Sequence, residues 1–295
     1  MTTRYNFTQN DPFDKTAPIK YVVEQRLSSE KYMQTIKEFE VPGGGLAIWF
    51  LGQNGFILKS DTGLILAIDP YLTNSCGQIY KDTFDFRLDR QLPVFIEPED
   101  LDVDIFLATH SHDDHADPET LKRCGNKDTT LFISPWEGYV KLFDYGIPKE
   151  RCKLIHPNQT LEINGATVRG TFALPTDDSD LNHMGYLMEF GSGITFYNSG
   201  DTAYCDLFTW INRFNVDICT ICINGGFHNL SHMDAARIVR DIDPKIVIPC
   251  HYDMMVNNVG NPEMFRSALN VLGCGSQYVE LRYYEPWVYT RHGKD

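Results

Sequence analysis

The sequence has one segment of unusual composition, Leu107-Ala108-Thr109-His110-Ser111-His112-Asp113-Asp114-His115. An apolar strand is predicted to end at Ala108, so the polar residues that follow belong to the loop beyond it. Four of them offer the imidazole nitrogen or carboxylate oxygen that Zn²⁺, Mn²⁺ and Fe²⁺ bind, namely His110, His112, Asp114 and His115. Histidine occupies only 9 of the 295 positions, so this pattern arises by chance in about one chain in a thousand. The segment therefore predicts a metal site.

Further ligands are expected at the ends of other strands, because a metal site needs more ligands than one loop supplies. His183 precedes a predicted strand, Asp201 follows an apolar strand at a glycine turn, and His251 ends another apolar run. Asp69 closes the apolar run 64–68. We expect Asp69 to accept a hydrogen bond from the free ring N–H of a ligand histidine.

Composition and charge exclude several classes of function. Hydrophobic residues make up 42% and charged residues 22% of the chain, as in ordinary globular proteins. The net charge is 26 − 40 = −14, which argues against a nucleic-acid partner, because phosphate binding needs an excess of Lys and Arg. No apolar run approaches the roughly 18 residues of a membrane helix, and the N-terminus shows no signal-peptide pattern. We expect a cytoplasmic protein with a small-molecule substrate and no membrane partner; a homo-oligomer is compatible with the sequence.

The eight cysteines are dispersed along the chain and lie mostly in apolar segments. This pattern is typical of reduced, buried thiols and not of a disulfide framework. Cys219 and Cys222 have CxxC spacing, but they lie on a strand-like run without a second pair. We interpret them as buried thiols and not as a metal or redox site.

The chain divides into a polar N-terminal extension, residues 1–43, and a domain that spans 44–295. The extension contains a predicted amphipathic helix from about Ile19 to Phe39, which ends before the glycine cluster at 43–45. In the domain, strands first follow one another in a meander and then alternate with helices in two halves. This pattern is typical of an α/β sandwich of two sheets with helices on both outer faces. Residues 71–100 are polar, aromatic and irregular, and we interpret them as a substrate loop or lid.

The segment from His110 to His115 resembles the HxHxDH signature of the metallo-β-lactamase-fold hydrolases. The order of Asp69, the four clustered ligands, His183, Asp201 and His251 matches the five motifs of that superfamily. The resemblance spans about residues 42–290. It implies the metallo-β-lactamase fold, an αββα sandwich with one or two metal ions at one edge of the two sheets. It also implies a metal-dependent hydrolase in which a metal-bound hydroxide is the nucleophile.

Within that superfamily, the sequence is similar to the L-ascorbate-6-phosphate lactonase group. The similarity lies in short stretches that keep their order and rough spacing, at 41–43, 49–52, 56–60, 107–110, 146–152, 199–202 and 247–253. It implies a lactonase, a hydrolase of carboxylic esters, that opens a small sugar-acid lactone with or without a phosphate group. The resemblance implies Mn²⁺ as the ion, whereas the ligand types favour Zn²⁺. The chain departs from this group at His183 and in residues 224–233, which leaves the substrate open.

The candidate residues divide into two ligand sets. If two ions bind, we expect one on His110, His112 and His183, the other on Asp114, His115 and His251, and Asp201 as the bridge. Asp114 is also expected to position the attacking hydroxide and to accept its proton. His232 would protonate the leaving alkoxide if it faces the site. The alternative, equally weighted, is that His232 caps the helix predicted to begin near Met233.

The sequence leaves open which residues contact the substrate and which reaction is catalysed. Lys81, Arg87 and Arg90 lie in the 71–100 loop and are candidates for binding a phosphate group, and His228 is a candidate for facing the site. Besides the lactonase, the alternatives are a phosphodiesterase of the same fold, because a two-metal site serves phosphate esters equally well, and a metal-binding protein without catalysis. The complete ligand set argues against the last alternative.

Overall fold

Two seven-stranded sheets form the centre of the protein in a computed structural model that describes residues 27–291. In chain order the strands are β1 (Gly45–Gly52), β2 (Gly55–Ser60), β3 (Ile65–Ile68), β4 (Ile105–Leu107), β5 (Leu131–Ser134), β6 (Cys152–Leu154), β7 (Thr160–Ile163), β8 (Ala166–Phe172), β9 (Met184–Phe190), β10 (Thr195–Asn198), β11 (Ile218–Cys222), β12 (Ile246–Cys250), β13 (Gln277–Tyr278) and β14 (Trp287–Thr290). The helices are α1 (Ser29–Glu38), α2 (Ser75–Ile79), α3 (Pro118–Arg123), α4 (Trp136–Asp144), α5 (His232–Ile242) and α6 (Pro262–Val271).

The strand order is β14-β1-β2-β3-β4-β5-β6 in the first sheet and β13-β12-β11-β10-β9-β8-β7 in the second. Each sheet combines an antiparallel part, β1 to β3 or β7 to β10, with a parallel part, β3 to β6 or β10 to β13. Strands such as β1, β11 and β12 are buried over their whole length. Continuous apolar strands are expected where both faces of a sheet are covered. Because α4 packs on β5 and β6 while α5 packs on β11, the predicted αββα sandwich is confirmed.

The parallel strands bring their carboxyl ends to one edge of the sandwich. Ile68 of β3 pairs with Leu107 of β4, and Cys222 of β11 pairs with Cys250 of β12. β9 runs antiparallel to β10, so the start of β9 lies at the same edge as the end of β10. Loops at the carboxyl ends of parallel strands are where α/β proteins place their sites. Every metal ligand predicted above lies in one of these loops.

Helix α1 is held against the first sheet by a buried lysine. Ser28 caps the helix, because its hydroxyl accepts a hydrogen bond from the backbone N–H of Lys31 at 3.4 Å. Met33 and Ile36 are buried in the core. The ammonium of Lys59 on β2 donates to the carbonyls of Ile36, Lys37 and Phe39 at the end of the helix. A cation at this end offsets the helix dipole and satisfies the last carbonyls. Of the predicted helix, residues 19–26 lie outside the described residues.

Residues Asp206–Phe214, before β11, form a 3₁₀ helix. The last two strands belong to different sheets: β13 pairs with β12 in the second sheet, whereas β14 pairs with β1 in the first. The chain must cross between the sheets there, and Tyr284 takes a left-handed backbone conformation, φ +60°, in the crossing segment.

Membrane segments and thiols can also be compared with the predictions. Between residues 27 and 291, no helix combines the length and the apolar character needed to cross a bilayer. All eight cysteines are free thiols. Cys219 and Cys222 are buried on β11, and burial raises the pKa of the Cys222 thiol to about 12. A thiol with such a pKa is protonated and unreactive at neutral pH.

Candidate metal centre

Three histidines from two loops converge at the sheet edge. His110 and His112 follow β4, and His183 immediately precedes β9. One ring nitrogen from each lies within 4.8 Å of the other two. The rings of His110 and His183 are 3.9 Å apart between centroids. Three nitrogens at this spacing can share one divalent ion.

A second group lies beside the first. Asp114, His115 and His251 have ligand atoms within 4.8 Å of one another, as do His110, His115 and Asp201. One carboxylate oxygen of Asp201, Oδ2, lies 3.5 Å from Nε2 of His115 and 3.3 Å from Nε2 of His251. Asp201 is thus positioned between the two groups. Asn229 donates a hydrogen bond to the same oxygen at 2.6 Å.

The buried polar atoms of this cluster fit a cation. Nε2 of His110, His115 and His183 and Oδ1 of Asp201 are buried and have no hydrogen-bond partner among the described residues. Buried polar atoms without partners are rare and costly in proteins. A divalent ion with nitrogen and oxygen ligands would satisfy all four. The residues present therefore fit the metal that the sequence predicts.

Hydrogen bonds on the far side of each ring fix the orientation of the histidines. Nδ1 of His115 lies 2.6 Å from the carboxylate of Asp69, so this nitrogen carries the proton and Nε2 is left for an ion. Asp69 also accepts hydrogen bonds from the backbone N–H and hydroxyl of Thr109, at 2.7 and 2.6 Å, and from Asn54 at 2.6 Å. Nδ1 of His183 donates to the backbone carbonyl of Asp201 at 3.1 Å. These contacts preorganise the cluster.

His112 is the most exposed histidine of the cluster, with a quarter of its side chain accessible to solvent. Its Nε2 lies 3.0 Å from the hydroxyl of Ser179 and 3.3 Å from a carboxylate oxygen of Asp177. These contacts engage Nε2 and leave Nδ1 for an ion. His112 therefore presents a different ring nitrogen from His110 and His183.

The backbone at the site is strained where two of these side chains leave their strands. Asp69 and His251 adopt left-handed conformations, φ +40° and +60°, which cost of order 1–3 kcal/mol in non-glycine residues and cluster at functional sites. Gly200, at φ +59°, allows the turn to Asp201, because a Cβ at this position would clash with the carbonyl oxygen of Met184. The loops at the site therefore depend on backbone conformations that most residues do not favour at these three positions.

The charges of the cluster shift the pKa values in opposite directions. Burial lowers the pKa of His110 and of His183, which favours the neutral form that binds metal. Burial alone would also lower the pKa of His251, but the negative charges of Asp201 and Asp114 outweigh it and raise the pKa to about 9. Likewise, burial alone would raise the pKa of Asp114, but the positive charges of His115 and His251 lower it. Protonated imidazoles thus compensate the carboxylates where a cation would bind.

Gln53 is a member of the site that the sequence did not indicate. It lies in the tight turn between β1 and β2, at φ +50°. Its side-chain amide donates to Oδ2 of Asp114 at 2.8 Å, and its backbone carbonyl accepts from the N–H of His251 at 2.6 Å. One feature of the sequence does point to this role: Gln53 and Asn54 form a polar pair in a turn between two fully buried strands.

A cavity of about 300 Å³ opens onto the cluster, with His112, Asp114 and Asp201 in its wall. Tyr80, Phe84 and Leu88 of the 71–100 segment also line it. Phe227 and Asn229 contribute from the loop after β11. The cavity is large enough for a small organic substrate.

The structure does not bring the three predicted phosphate-binding cations to this cavity. Lys81 is exposed and lies 4.0 Å from Asp82. Arg87 is paired with Asp89 at 2.7 Å. The guanidinium of Arg90 is hydrogen-bonded to backbone carbonyls of its own loop and to the hydroxyl of Tyr284. The expectation failed because a charge in an irregular loop does not reveal which way its side chain points.

The two other candidates of the 224–233 segment are also placed differently from the prediction. His228 is exposed, and its ring contacts the backbone carbonyl of Thr176 at 3.0 Å. Nε2 of His232 accepts a hydrogen bond from the N–H of Asn261 at 3.1 Å, and His232 lines a separate groove between α5 and α6. The prediction that His232 faces the site as a proton donor is therefore wrong. The alternative, that His232 caps α5, is wrong as well, because the N-cap of that helix is Ser231.

Comparison with known proteins gives a consistent result. A family model described as "Beta-lactamase superfamily domain" matches residues 47–251. The "Probable L-ascorbate-6-phosphate lactonase UlaG" of Salmonella heidelberg is 24% identical over 274 residues, which cover 79% of this chain and 77% of that protein. Among solved structures, the metallo hydrolase Igni18 of Ignicoccus hospitalis has a TM-score of 0.64 at 19% identity, covering 84% of this chain and 99% of its own. The isothiocyanate hydrolase from Delia radicum gut bacteria has a TM-score of 0.66 at 16% identity, covering 83% and 99%.

Proposed function

The chain belongs to the beta-lactamase superfamily, and on that premise we propose that it is a metal-dependent hydrolase that opens a lactone or a related carboxylic ester. The observation that carries the proposal is the convergence of unpartnered ligand atoms from His110, His115, His183 and Asp201 beside a cavity. The similarity to proteins named as lactonases extends over most of the chain. It supports an ester as the bond that is cleaved.

One or two divalent ions would bind in the two ligand groups. His110, His112 and His183 would hold one ion, Asp114, His115 and His251 the other, and Asp201 would lie between them. The mixture of nitrogen and oxygen donors suits Zn²⁺ or Mn²⁺. When bound, such an ion lowers the pKa of water from 15.7 to about 7 and polarises a carbonyl oxygen.

Asp114 is the residue that we assign to proton transfer. Its pKa is lowered, so it is a carboxylate at neutral pH, and Gln53 fixes one of its oxygens. Asp114 accepts the proton of the attacking water as the water oxygen bonds to the carbonyl carbon. The ester C–O bond then breaks, and Asp114 returns the proton to the leaving alkoxide. This sequence needs no second acid, which agrees with the position of His232 away from the cavity.

The alternatives make different demands on the site. A metal-binding protein without catalysis would need no cavity, whereas this cluster forms part of a cavity wall. A phosphodiesterase could use the same ligand groups, so the donor atoms do not distinguish it from a lactonase. The distinction requires substrates of both classes.

We would test the proposal with protein stripped of metal and reloaded with Zn²⁺ or Mn²⁺, assayed on simple lactones, aryl esters and bis(p-nitrophenyl) phosphate. We expect ester or lactone hydrolysis that disappears with a chelator and returns with the ion. His112→Ala should lower kcat/KM by at least about 100-fold. The loss of a group that supports a ligand typically costs about 10–100-fold, and the loss of the ligand itself should cost more. His156→Ala, at an exposed histidine outside the cluster, is the control. Preference for the phosphodiester, or no hydrolysis by the loaded protein, would contradict the proposal.

A further inference from the structure

Aromatic rings from two distant segments meet along one side of the cavity. Tyr80 and Phe84 come from the loop after β3, and Phe227 comes from the loop after β11; all three line the cavity. Phe86 lies behind them, stacked on Phe84 with 4.8 Å between the ring centroids. Phe227 packs edge-on against Phe84 at 6.0 Å and against Phe86 at 5.6 Å. We call these four residues the aromatic wall.

The aromatic wall is exposed where a substrate would enter. Phe84 is 36% exposed and Phe227 is 42% exposed, although burying a ring of this size is strongly favourable. Leu88 and Met255 continue the apolar surface inside the cavity. Exposed large apolar side chains that form a contiguous patch in a pocket mark a binding surface.

Polar contacts hold the wall in place. The hydroxyl of Tyr80 donates to Asp113 at 2.8 Å, so Tyr80 presents its ring and not a free hydroxyl. The neighbour of Phe227, His228, is anchored to the carbonyl of Thr176. The rings are therefore positioned before any substrate binds, which lowers the entropic cost of binding.

The charges around the cavity disfavour an anionic group. One lining carboxylate, that of Asp113, is paired with the ammonium of Lys141 at 2.5 Å, so this lysine is already engaged. Among the described residues that line the cavity there is no Lys or Arg. Away from the metal ligands, a phosphate group on the substrate would thus face carboxylates and aromatic rings without a cationic side chain of its own, and desolvating it there is costly.

From these observations, and on the basis of the proposed function, we propose that the natural substrate is a neutral ester or lactone with an apolar group of aromatic size. The aromatic wall binds this group, while the carbonyl lies toward Asp114 and Asp201. We expect phosphorylated lactones to be poorer substrates, because no Lys or Arg among the described residues lines the cavity beside the metal ligands. This specificity differs from the substrate in the name of the lactonase relatives.

The test compares two lactones that differ in one substituent, γ-benzyl-γ-butyrolactone and γ-(phosphoryloxymethyl)-γ-butyrolactone. For the metal-loaded protein we expect kcat/KM to be about tenfold higher for the benzyl compound, which is near the upper end of what one aromatic contact supplies. Phe84→Ala and Phe227→Ala should each reduce this ratio by about five- to tenfold without changing the bound metal. Leu207→Ala, at a leucine that is 62% exposed elsewhere, should leave the ratio unchanged.

A gain of function gives the converse test. Phe227→Arg should lower kcat/KM for the benzyl lactone and raise it for the phosphorylated lactone, because it adds the missing cation to the cavity wall. A wild-type preference for the phosphorylated lactone, or an unchanged ratio in both alanine variants, would overturn the substrate inference while leaving a lactonase intact.

Failure of the proposed function can be separated from failure of this inference. If neither lactone is hydrolysed, the proposed function fails, and the binding of the unreactive benzyl and phosphoryloxymethyl lactams, measured by calorimetry, decides the substrate class alone. Tighter binding of the benzyl lactam, weakened by Phe84→Ala, would support the inference. Equal or tighter binding of the phosphorylated lactam would overturn it.

Discussion

Gln53 donates a hydrogen bond from its side-chain amide to Oδ2 of Asp114 at 2.8 Å, across 61 residues of sequence. The same amide nitrogen lies 3.5 Å from Nε2 of His251. Gln53 thus contacts two members of one ligand group without being a typical metal ligand itself. Supporting residues of this kind fix the orientation of ligands and tune their affinity for the ion.

We expect Gln53→Leu to weaken the ion held by Asp114, His115 and His251 by about 10–100-fold, because the carboxylate loses the donor that orients it. The ion on His110, His112 and His183 should be affected less. Stepwise metal titration followed by calorimetry measures both sites. Gln34→Leu, at an exposed glutamine on α1, is the matched control. Equal weakening of both sites would indicate a general loss of structure.

Asp69→Asn tests the second supporting contact. Asp69 accepts hydrogen bonds from Thr109 and Asn54 and contacts Nδ1 of His115. The amide of asparagine has the shape of the carboxylate, but it replaces one acceptor oxygen with an NH₂ group. At least one of the buried donors that face Asp69 therefore loses its acceptor. We expect the free energy of unfolding to fall by about 1–3 kcal/mol and metal affinity to fall by about 10–100-fold. Denaturant unfolding with and without metal measures the two effects, and wild-type metal affinity would exclude the assigned role.

Metal affinity should rise with pH. The carboxylates of Asp201 and Asp114 raise the pKa of His251 to about 9, and the pKa of His115 is raised as well. Both imidazoles must lose a proton before they bind an ion. Since fewer protons compete as pH increases, affinity should increase by up to roughly tenfold per pH unit for each proton released, up to about pH 9. Calorimetry in buffers of different ionisation enthalpy counts the protons. Constant affinity from pH 6 to 9 would contradict this assignment.

His183→Ala tests whether His183 is a ligand. His183 is buried, its Nδ1 is engaged by the carbonyl of Asp201, and its Nε2 has no partner among the described residues. Removing the imidazole should weaken one ion by at least about 10–100-fold and the other less. His156→Ala again serves as the control. Unchanged affinity and stoichiometry on titration of the stripped variant would show that His183 only begins β9.

The sequence was sufficient for the sandwich and for the main cluster because both depend on local patterns. Apolar strands that end in His or Asp specify ligands at one edge once parallel strands align their carboxyl ends. This is why His110, His183, Asp201 and His251 could be assembled from positions far apart in the chain. Asp69 was likewise indicated by its place at a strand end.

Other parts of the site depend on side-chain direction and long-range packing, which a single sequence does not encode in any short motif. Gln53 looks like an ordinary turn residue until β1 and β2 are placed beside Asp114. The aromatic wall joins residues near 84 with Phe227, and no spacing rule connects them. The backbone partners of the Arg90 guanidinium, the carbonyls of Tyr71 and Leu92, cannot be inferred from composition.

The whole mechanism depends on divalent metal bound by the His and Asp cluster. The most direct measurement is elemental analysis of protein that has been stripped with chelator, reloaded with Zn²⁺ or Mn²⁺ and dialysed, together with the variant His110→Ala, which removes a ligand atom common to two of the three ligand groups. We predict one or two ions per wild-type chain and a loss of at least one ion in the variant. Less than one ion per wild-type chain after reloading, or equal content in wild type and variant, would show that this cluster is not the metal site.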